Sequence, residues 1–248
     1  MLVLLPPSET KRDGGEAGRA LDLDSLRHPQ LTAQRRSAIA ALTLLSGDPV
    51  AAAHALGLGP TQALEIERNR VLESSAVMPA IDRYTGVLYD GIDAASLASH
   101  ERAWVLRHVV VNSALFGLLG AGDEIPAYRL SHDSRLPGLP LKKHWREANA
   151  AVLAATPGVI LDLRSESYAA LGPLPKHDDA HYLRVVTQTA TGQKKALTHF
   201  NKKGKGIFVR RLAESGRDHE SVDSLLEWAA ASGIRLEPGE PGELELTV

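Results

Sequence analysis

The chain reads as a mixed α/β (α+β) protein, with one compact domain over residues 1–248, a central sheet, a helical N-terminal half and an acidic portion from 214 to 248. Three features predict it. A short apolar start cut off by two prolines, residues 1–7, reads as a buried first strand. Residues 31–119 carry helix-period apolar spacing and capping residues. Short strand-like runs are scattered through the second half.

Each element follows from local chemistry. After the strand at 1–5, Pro6-Pro7-Ser8-Glu9-Thr10-Lys11 reads as a rigid loop leaving its carboxyl end. Residues 12–19 are Gly-rich and charged and read as a mobile stretch. Leu31, Ile39, Leu42 and Leu45 share one helical stripe. Asp48-Pro49 supplies an N-cap and a first-turn proline for the next helix. The segment from Gly57 to Pro60 breaks that helix, and Thr61 is placed to cap another. Ser99 is read as the cap of a long helix from 100 to about 119, ended by Gly120-Ala121-Gly122-Asp123. Pro126, Pro137 and Pro140 make 125–141 a connecting loop, followed by a helix over 142–155. Residues 159–163 form an apolar run of buried-strand type. Strands at 182–189 and 193–200 flank Ala190-Thr191-Gly192, a hairpin signal. Helices over 204–214 and 221–232 and an alternating strand over 243–248 close the chain.

Composition excludes several classes. There is no cysteine, hence no disulfide framework, thiolate metal site or cysteine nucleophile. The start lacks a basic leader region, and no apolar run approaches the ~20 residues that span a bilayer, so a cytoplasmic protein with no membrane partner is expected. Net charge is only −2, but it is unevenly spread. From 180 to 213 there is no Asp or Glu, while Arg184, Lys194, Lys195, Lys202, Lys203, Lys205, Arg210 and Arg211 supply eight fixed cations. From 214 to 248 nine acids face two arginines.

The basic stretch centres on His199-Phe200-Asn201-Lys202-Lys203-Gly204-Lys205-Gly206. Lys and Arg displace counterions from phosphates, and glycines 204 and 206 would let backbone amides approach an anion. A solvated basic face covered by the acidic tail fits the same pattern. A second candidate is the Gly-rich turn around Ser113, Gly117 and Gly120, read either as a helix-hairpin-helix-like phosphate contact or as a plain helix C-cap. Tyr128-Arg129-Leu130 follows close by.

Other motifs carry less. Ser8-x-x-Lys11 matches a serine acyl-enzyme spacing without its companion motifs, so a ligand-contacting loop at a strand end is the better reading. There is no Walker A motif, and Gly204-x-Gly206 lacks the third glycine of a dinucleotide fingerprint. His177-Asp178-Asp179-x-His181 matches no standard metal site, so no metal and no cofactor is expected. Asp162, Arg164, Ser165, Glu166 and Tyr168 follow a buried strand, where they can form a site or simply cap the next turn.

Taken together, the residues resemble a family. The opening residues 1–11, Tyr84-Thr85-Gly86-Val87-Leu88-Tyr89, Asn112-Ser113-Ala114-Leu115-Phe116-Gly117, Tyr128-Arg129-Leu130, Trp145, residues 161–168 and Lys202-Lys203-Gly204-Lys205-Gly206 occur in the order seen in the YaaA peroxide-stress proteins. The resemblance runs from residue 1 to about 215. It implies a cytosolic protein of the oxidative stress response that limits DNA damage, lowers free iron and binds DNA. It also implies a mixed α/β fold with a basic cleft and a helix-hairpin-helix-like element. Carried onto this chain, the DNA- or anion-binding candidates are Lys11, Arg129, Lys202, Lys203, Lys205, Ser113, Gly117 and Gly120.

Two functional classes compete. One is backbone-led DNA binding, with little sequence specificity. The other is an enzyme on a small phosphorylated or nucleotide-like substrate, in a pocket made by Ser8, Tyr84, Ser165, Tyr168, His199 and Asn201. Loops that converge on a narrow pocket favour the second; loops spread over an open groove favour the first. Direct iron binding is disfavoured by the missing cysteines and ligand spacing, so any effect on iron is read as indirect. Replacing Lys202, Lys203 and Lys205 together is expected to spare folding, as exposed charges contribute little.

Overall fold

Four buried aliphatic residues form β1 (Leu2–Leu5). Such a strand needs neighbours on both sides and cover on both faces. It has parallel neighbours in β3 (Val109–Ser113) and β6 (Ile160–Asp162). The computed structural model describes residues 1–188, 194–196 and 200–248, with the side chains of 188–200 left outside that description.

The sheet continues in parallel through β7 (Ala180–Gln188) and β10 (Glu243–Thr247). Its outer strands are antiparallel: β4 (Gly117–Gly120) beside β3, and β9 (Leu236–Pro238) beside β10. The order is β4-β3-β1-β6-β7-β10-β9, with β8 (Lys194–Ala196) paired to the far end of β7. A separate small pair joins β2 (Met78–Pro79) to β5 (Glu124–Ile125). The architecture is therefore mixed α/β, as the sequence predicts.

The N-terminal half supplies α1 (Thr32–Ser46), α2 (Pro49–Leu56), α3 (Ala63–Arg70), α4 (Ala80–Arg83), α5 (Val87–Ile92) and α6 (Ser99–His108). The Asp48 carboxylate accepts hydrogen bonds from the amides of Val50 and Ala51 at 3.0 and 3.1 Å, the expected cap of α2. Thr61 is not a cap; it lies in a 3-10 turn, and Gln62 occupies the N-cap position of α3. Residues 12–19 are pinned rather than loose: the buried Arg83 guanidinium takes the carbonyls of Arg12 and Gly14. The second half adds α7 (Leu141–Ala154), α8 (Glu166–Ala169), α9 (Phe200–Ser215) and α10 (Val222–Ala231). Among the described residues no helix is long and apolar enough to cross a membrane.

The long helix expected over 100–119 is the main correction. The helix stops at His108 and the chain passes directly into β3. Val109, Val110 and Val111 are β-branched, which favours extended backbone once both faces are buried. The segment carrying Ser113, Gly117 and Gly120 is thus a β-hairpin, not a helix-hairpin-helix element. It is also buried throughout. Ser113 Oγ accepts from the amides of Leu115 and Phe116, closing the turn. Gly117 has φ +67°, and a Cβ there would lie 2.6 Å from the Trp145 ring. Its glycine serves packing against α7, not phosphate.

Candidate functional site

Chain connectivity opens a crevice at one place. From β1 the next strand of the sheet in sequence, β3, lies on one side, whereas β6 leads on to β7 on the other. Loops leaving the carboxyl ends of β1 and β6 therefore part, and ligands of open α/β sheets bind at such a switch point. A cleft of about 630 Å³ lies there, within the ~300–1,000 Å³ range of small-molecule sites. Its walls come from the β1 loop (Pro6 to Thr10), the α4–α5 turn with the start of α5 (Thr85 to Tyr89), Ser131 and His132, Ser165 and Tyr168 after β6, and Lys202 on α9.

Three hydroxyls gather in one part of the lining. Thr85 Oγ1 donates to Thr10 Oγ1 at 2.9 Å, and Ser8 Oγ lies 3.3 Å from the same atom. Gly86, at φ +99°, brings the backbone close: a Cβ there would be 3.3 Å from Ser8 Oγ. Tyr89 OH donates to the Pro6 carbonyl at 2.9 Å, fixing the loop against α5. Elsewhere in the lining the rings of His132 and Tyr168 meet edge to face, with centroids 5.1 Å apart. Ser165 caps α8 by accepting from the Tyr168 amide at 3.5 Å. It thus caps a helix and lines the cleft. Burial raises the Tyr168 phenol to about 12, so it stays protonated at neutral pH.

Lys11 braces the β1 loop. Its Nζ donates to the carbonyls of Ser8 and Glu9 at 3.0 and 3.2 Å and sits 4.2 Å from the Tyr128 ring centroid. Burial, reinforced by Arg129, lowers its pKa to about 7. Tyr84 lies beneath, its OH 2.7 Å from that of Tyr128, which in turn is 2.7 Å from Ser113 Oγ. Tyr84 and Ser113 therefore support the loop from inside the core. Arg129 pairs with Glu9 at 2.9 Å and ties the β1 loop to the segment bearing Ser131 and His132.

Behind Ser165 lies a buried ionic cluster. The Arg164 guanidinium grips Asp162 through Nε at 2.8 Å and Nη2 at 2.6 Å, and Nη1 donates to Asn112 Oδ1 at 2.6 Å. Arg164 and Asp162 are 0% and 1% exposed. Lys205 is also buried, donating to the Leu163 carbonyl at 3.1 Å and lying 5.2 Å from the Tyr182 ring centroid. Burial lowers its pKa to about 8, with Asp162 opposing. Two cations, Arg164 and Lys205, thus lie buried around one carboxylate, Asp162.

The basic stretch is divided, not pooled. Lys202 is exposed and lines the cleft, whereas Lys203 lines a separate, larger groove of about 860 Å³ with Ile207, Phe208 and Val248. That groove also takes in Arg211, Ser232, Arg235 and Thr247. Arg184 pairs with Glu243, and Arg210 with Glu214. The expectation that Lys202, Lys203 and Lys205 share one exposed patch is corrected by α9: positions on a helix turn ~100° per residue. Glycines 204 and 206 are corrected too. They lie inside α9, and a Cβ on Gly206 would stand 2.1 Å from the Leu88 carbonyl oxygen, so that glycine allows α5 and α9 to cross closely. Asn201 is half-buried in the first turn of α9, with no partner for Oδ1 among the described residues. His199 lies outside the described residues.

Sequence reasoning missed Thr10, Thr85, Tyr89, Ser131 and His132 as cleft residues. The polar run Ser131-His132-Asp133-Ser134 inside a proline-rich loop was the available signal.

The chain matches the family described as Peroxide stress protein YaaA over residues 1–238. A UPF0246 protein of Corynebacterium efficiens is 40% identical over 253 residues, covering 100% of this chain and 99% of the relative. A UPF0246 protein of Streptomyces coelicolor is 40% identical over 247 residues, covering 98% and 94%. A more distant UPF0246 protein of Salinispora tropica is 33% identical over 250 residues, covering 96% and 89%. With the match spanning nearly the whole chain, this protein belongs to the YaaA peroxide stress protein family.

Proposed function

We propose that the protein serves the peroxide response in the cytoplasm by holding a small phosphate-bearing ligand in the cleft between the carboxyl ends of β1 and β6. One observation carries the reading. Polar side chains from five parts of the chain, Lys202 among them, line one cleft of ligand size at the switch point of the sheet. Hydroxyls at Ser8, Thr10 and Thr85 offer donors to phosphate oxygens, and Lys202 offers the charge. Titration calorimetry with inorganic phosphate and ribose 5-phosphate tests it. Binding that weakens with salt and with Lys202→Ala is the expected result, and no heat with either compound at millimolar concentration rejects the reading.

DNA binding through a basic face is the second reading, supported by the family resemblance and by the exposed cations Arg12, Lys202 and Lys203. Protection of DNA, with free iron lowered only indirectly, would follow from it. Among the described residues of the basic stretch, Lys202 and Lys203 are exposed, whereas Arg184, Arg210 and Arg211 are ion-paired and Lys205 is buried. Two such contacts give a slope of about −1.8 in log affinity against log salt. A gel shift with duplex, junction and single-stranded DNA at low salt decides between the readings.

A further inference from the structure

Resting on the small-ligand reading, we infer that the cleft is a mononucleotide site: the phosphate sits on the hydroxyls of Ser8, Thr10 and Thr85, and the base lies against Tyr168 and His132. The lining carries two kinds of group. The hydroxyl part has three side chains already within hydrogen-bonding distance of one another, each with donor capacity to turn towards an anion. Gly86 keeps backbone bulk off that part, because any Cβ would crowd Ser8 Oγ at 3.3 Å. Another part of the lining presents rings. Tyr168 is buried to 8% exposure and held by the Ser165 cap, and His132 packs edge-on against it. A rigid, preordered ring favours a planar group, since no rotamer freedom is lost on stacking.

The loops that carry the two groups are tied together. Glu9 stands between Ser8 and Thr10, Arg129 stands two residues before Ser131, and their 2.9 Å ion pair clamps the two loops together. A sugar phosphate engages only the hydroxyls. A nucleoside engages only the rings. A nucleoside monophosphate has both groups in one molecule that a 630 Å³ cleft can admit.

The test compares AMP, GMP, ribose 5-phosphate and adenosine by calorimetry on the full chain. AMP or GMP is expected to bind at least tenfold tighter than ribose 5-phosphate and than adenosine. His132→Ala and Tyr168→Leu should each reduce that preference over ribose 5-phosphate and leave ribose 5-phosphate itself unchanged. Thr10→Val should weaken nucleotide and sugar phosphate alike. His132 is half-exposed, so its variant reports on the ligand even where Tyr168→Leu misfolds. Equal affinity for AMP and ribose 5-phosphate overturns the base contact while the small-ligand reading stands. Equal affinity for AMP and adenosine overturns the phosphate contact. If neither AMP nor ribose 5-phosphate binds, the small-ligand reading itself falls.

Discussion

The loops at the carboxyl edge of the sheet and the first turns of α9 are both rich in polar and charged residues, yet they use them in opposite ways. In the loops, side chains from distant parts of the sequence meet: Ser8, Thr85, His132 and Ser165 line one cleft. In α9, neighbours in sequence separate: Lys202 faces the cleft, Lys203 another groove, and Lys205 the core. Strand ends converge because the sheet's connectivity parts the loops around a crevice. Helical charges disperse because each residue turns away from the last. A dense cationic run on a helix is therefore weaker grounds for a binding site than sparse polar residues placed after parallel strands.

The contrast can be broken most strongly at the buried support of the loops. Arg164→Leu strips buried Asp162 of both guanidinium hydrogen bonds and leaves it only the backbone amide of residue 164 and the nearby Lys205 charge, a loss of about 3–5 kcal/mol. The melting temperature should fall by roughly 6–20 °C. Lys202→Ala, at an exposed position, should move it by no more than about 2 °C. Similar shifts for both variants would contradict the difference between the two regions.

Glycines within α9 sharpen it next. Gly206→Ala drives a Cβ into the Leu88 carbonyl and should cost about 3 kcal/mol or more. Gly204→Ala meets only the Val248 and Val185 side chains, at 3.0 and 3.4 Å, and should cost under about 1 kcal/mol. Equal stability of the two in denaturant melts would mean that the close crossing of α5 and α9 does not require glycine.

Binding separates the lysines themselves. Lys202→Ala should weaken phosphate-ligand affinity about tenfold, the scale of one charge-assisted contact, and Lys203→Ala should leave it unchanged. Replacing all three lysines cannot spare the fold as the sequence suggests, because Lys205 lies in the core. A triple variant as stable as wild type would remove that buried role.

The smallest effect is on pH dependence. Lys11 and Lys205 have folded pKa values of about 7 and about 8, below the ordinary 10.5, because burial disfavours their charge. Between those values and 10.5 the unfolded chain holds more protons, so stability rises with pH from about 7 upward. Thermal melts should gain a few degrees from pH 7 to pH 9, and Lys205→Met should flatten the rise. A fall across that window would contradict the buried ammonium groups.

Much of the fold was legible in the sequence. Buried strands at β1 and β6 announce themselves as short aliphatic runs, and the Asp48-Pro49 cap starts its helix as read. What failed was 109–120, where helix spacing and a glycine turn suggested a helix and its cap. The valine triplet favours a strand, but only burial between β1 and β4 makes that preference decisive, and burial is a tertiary fact. In the candidate site, Ser8, Ser165, Tyr168 and Lys202 were identified because they follow strands or sit in a basic run. Thr85 and His132 were not, since nothing local marks a loop residue for a cleft that distant segments build. The glycines in α9 were misread for a similar reason: helix crossing and anion binding both ask for glycine, and only the packed partner distinguishes them.

The most direct test is an amide chemical-shift titration of the full chain with AMP. The account predicts coordinated shifts at Ser8 to Thr10, Thr85 to Tyr89, Ser131, His132, Ser165 and Tyr168, saturating together. Shifts confined to Lys194, Lys195 and Lys203, with the cleft silent, would contradict it.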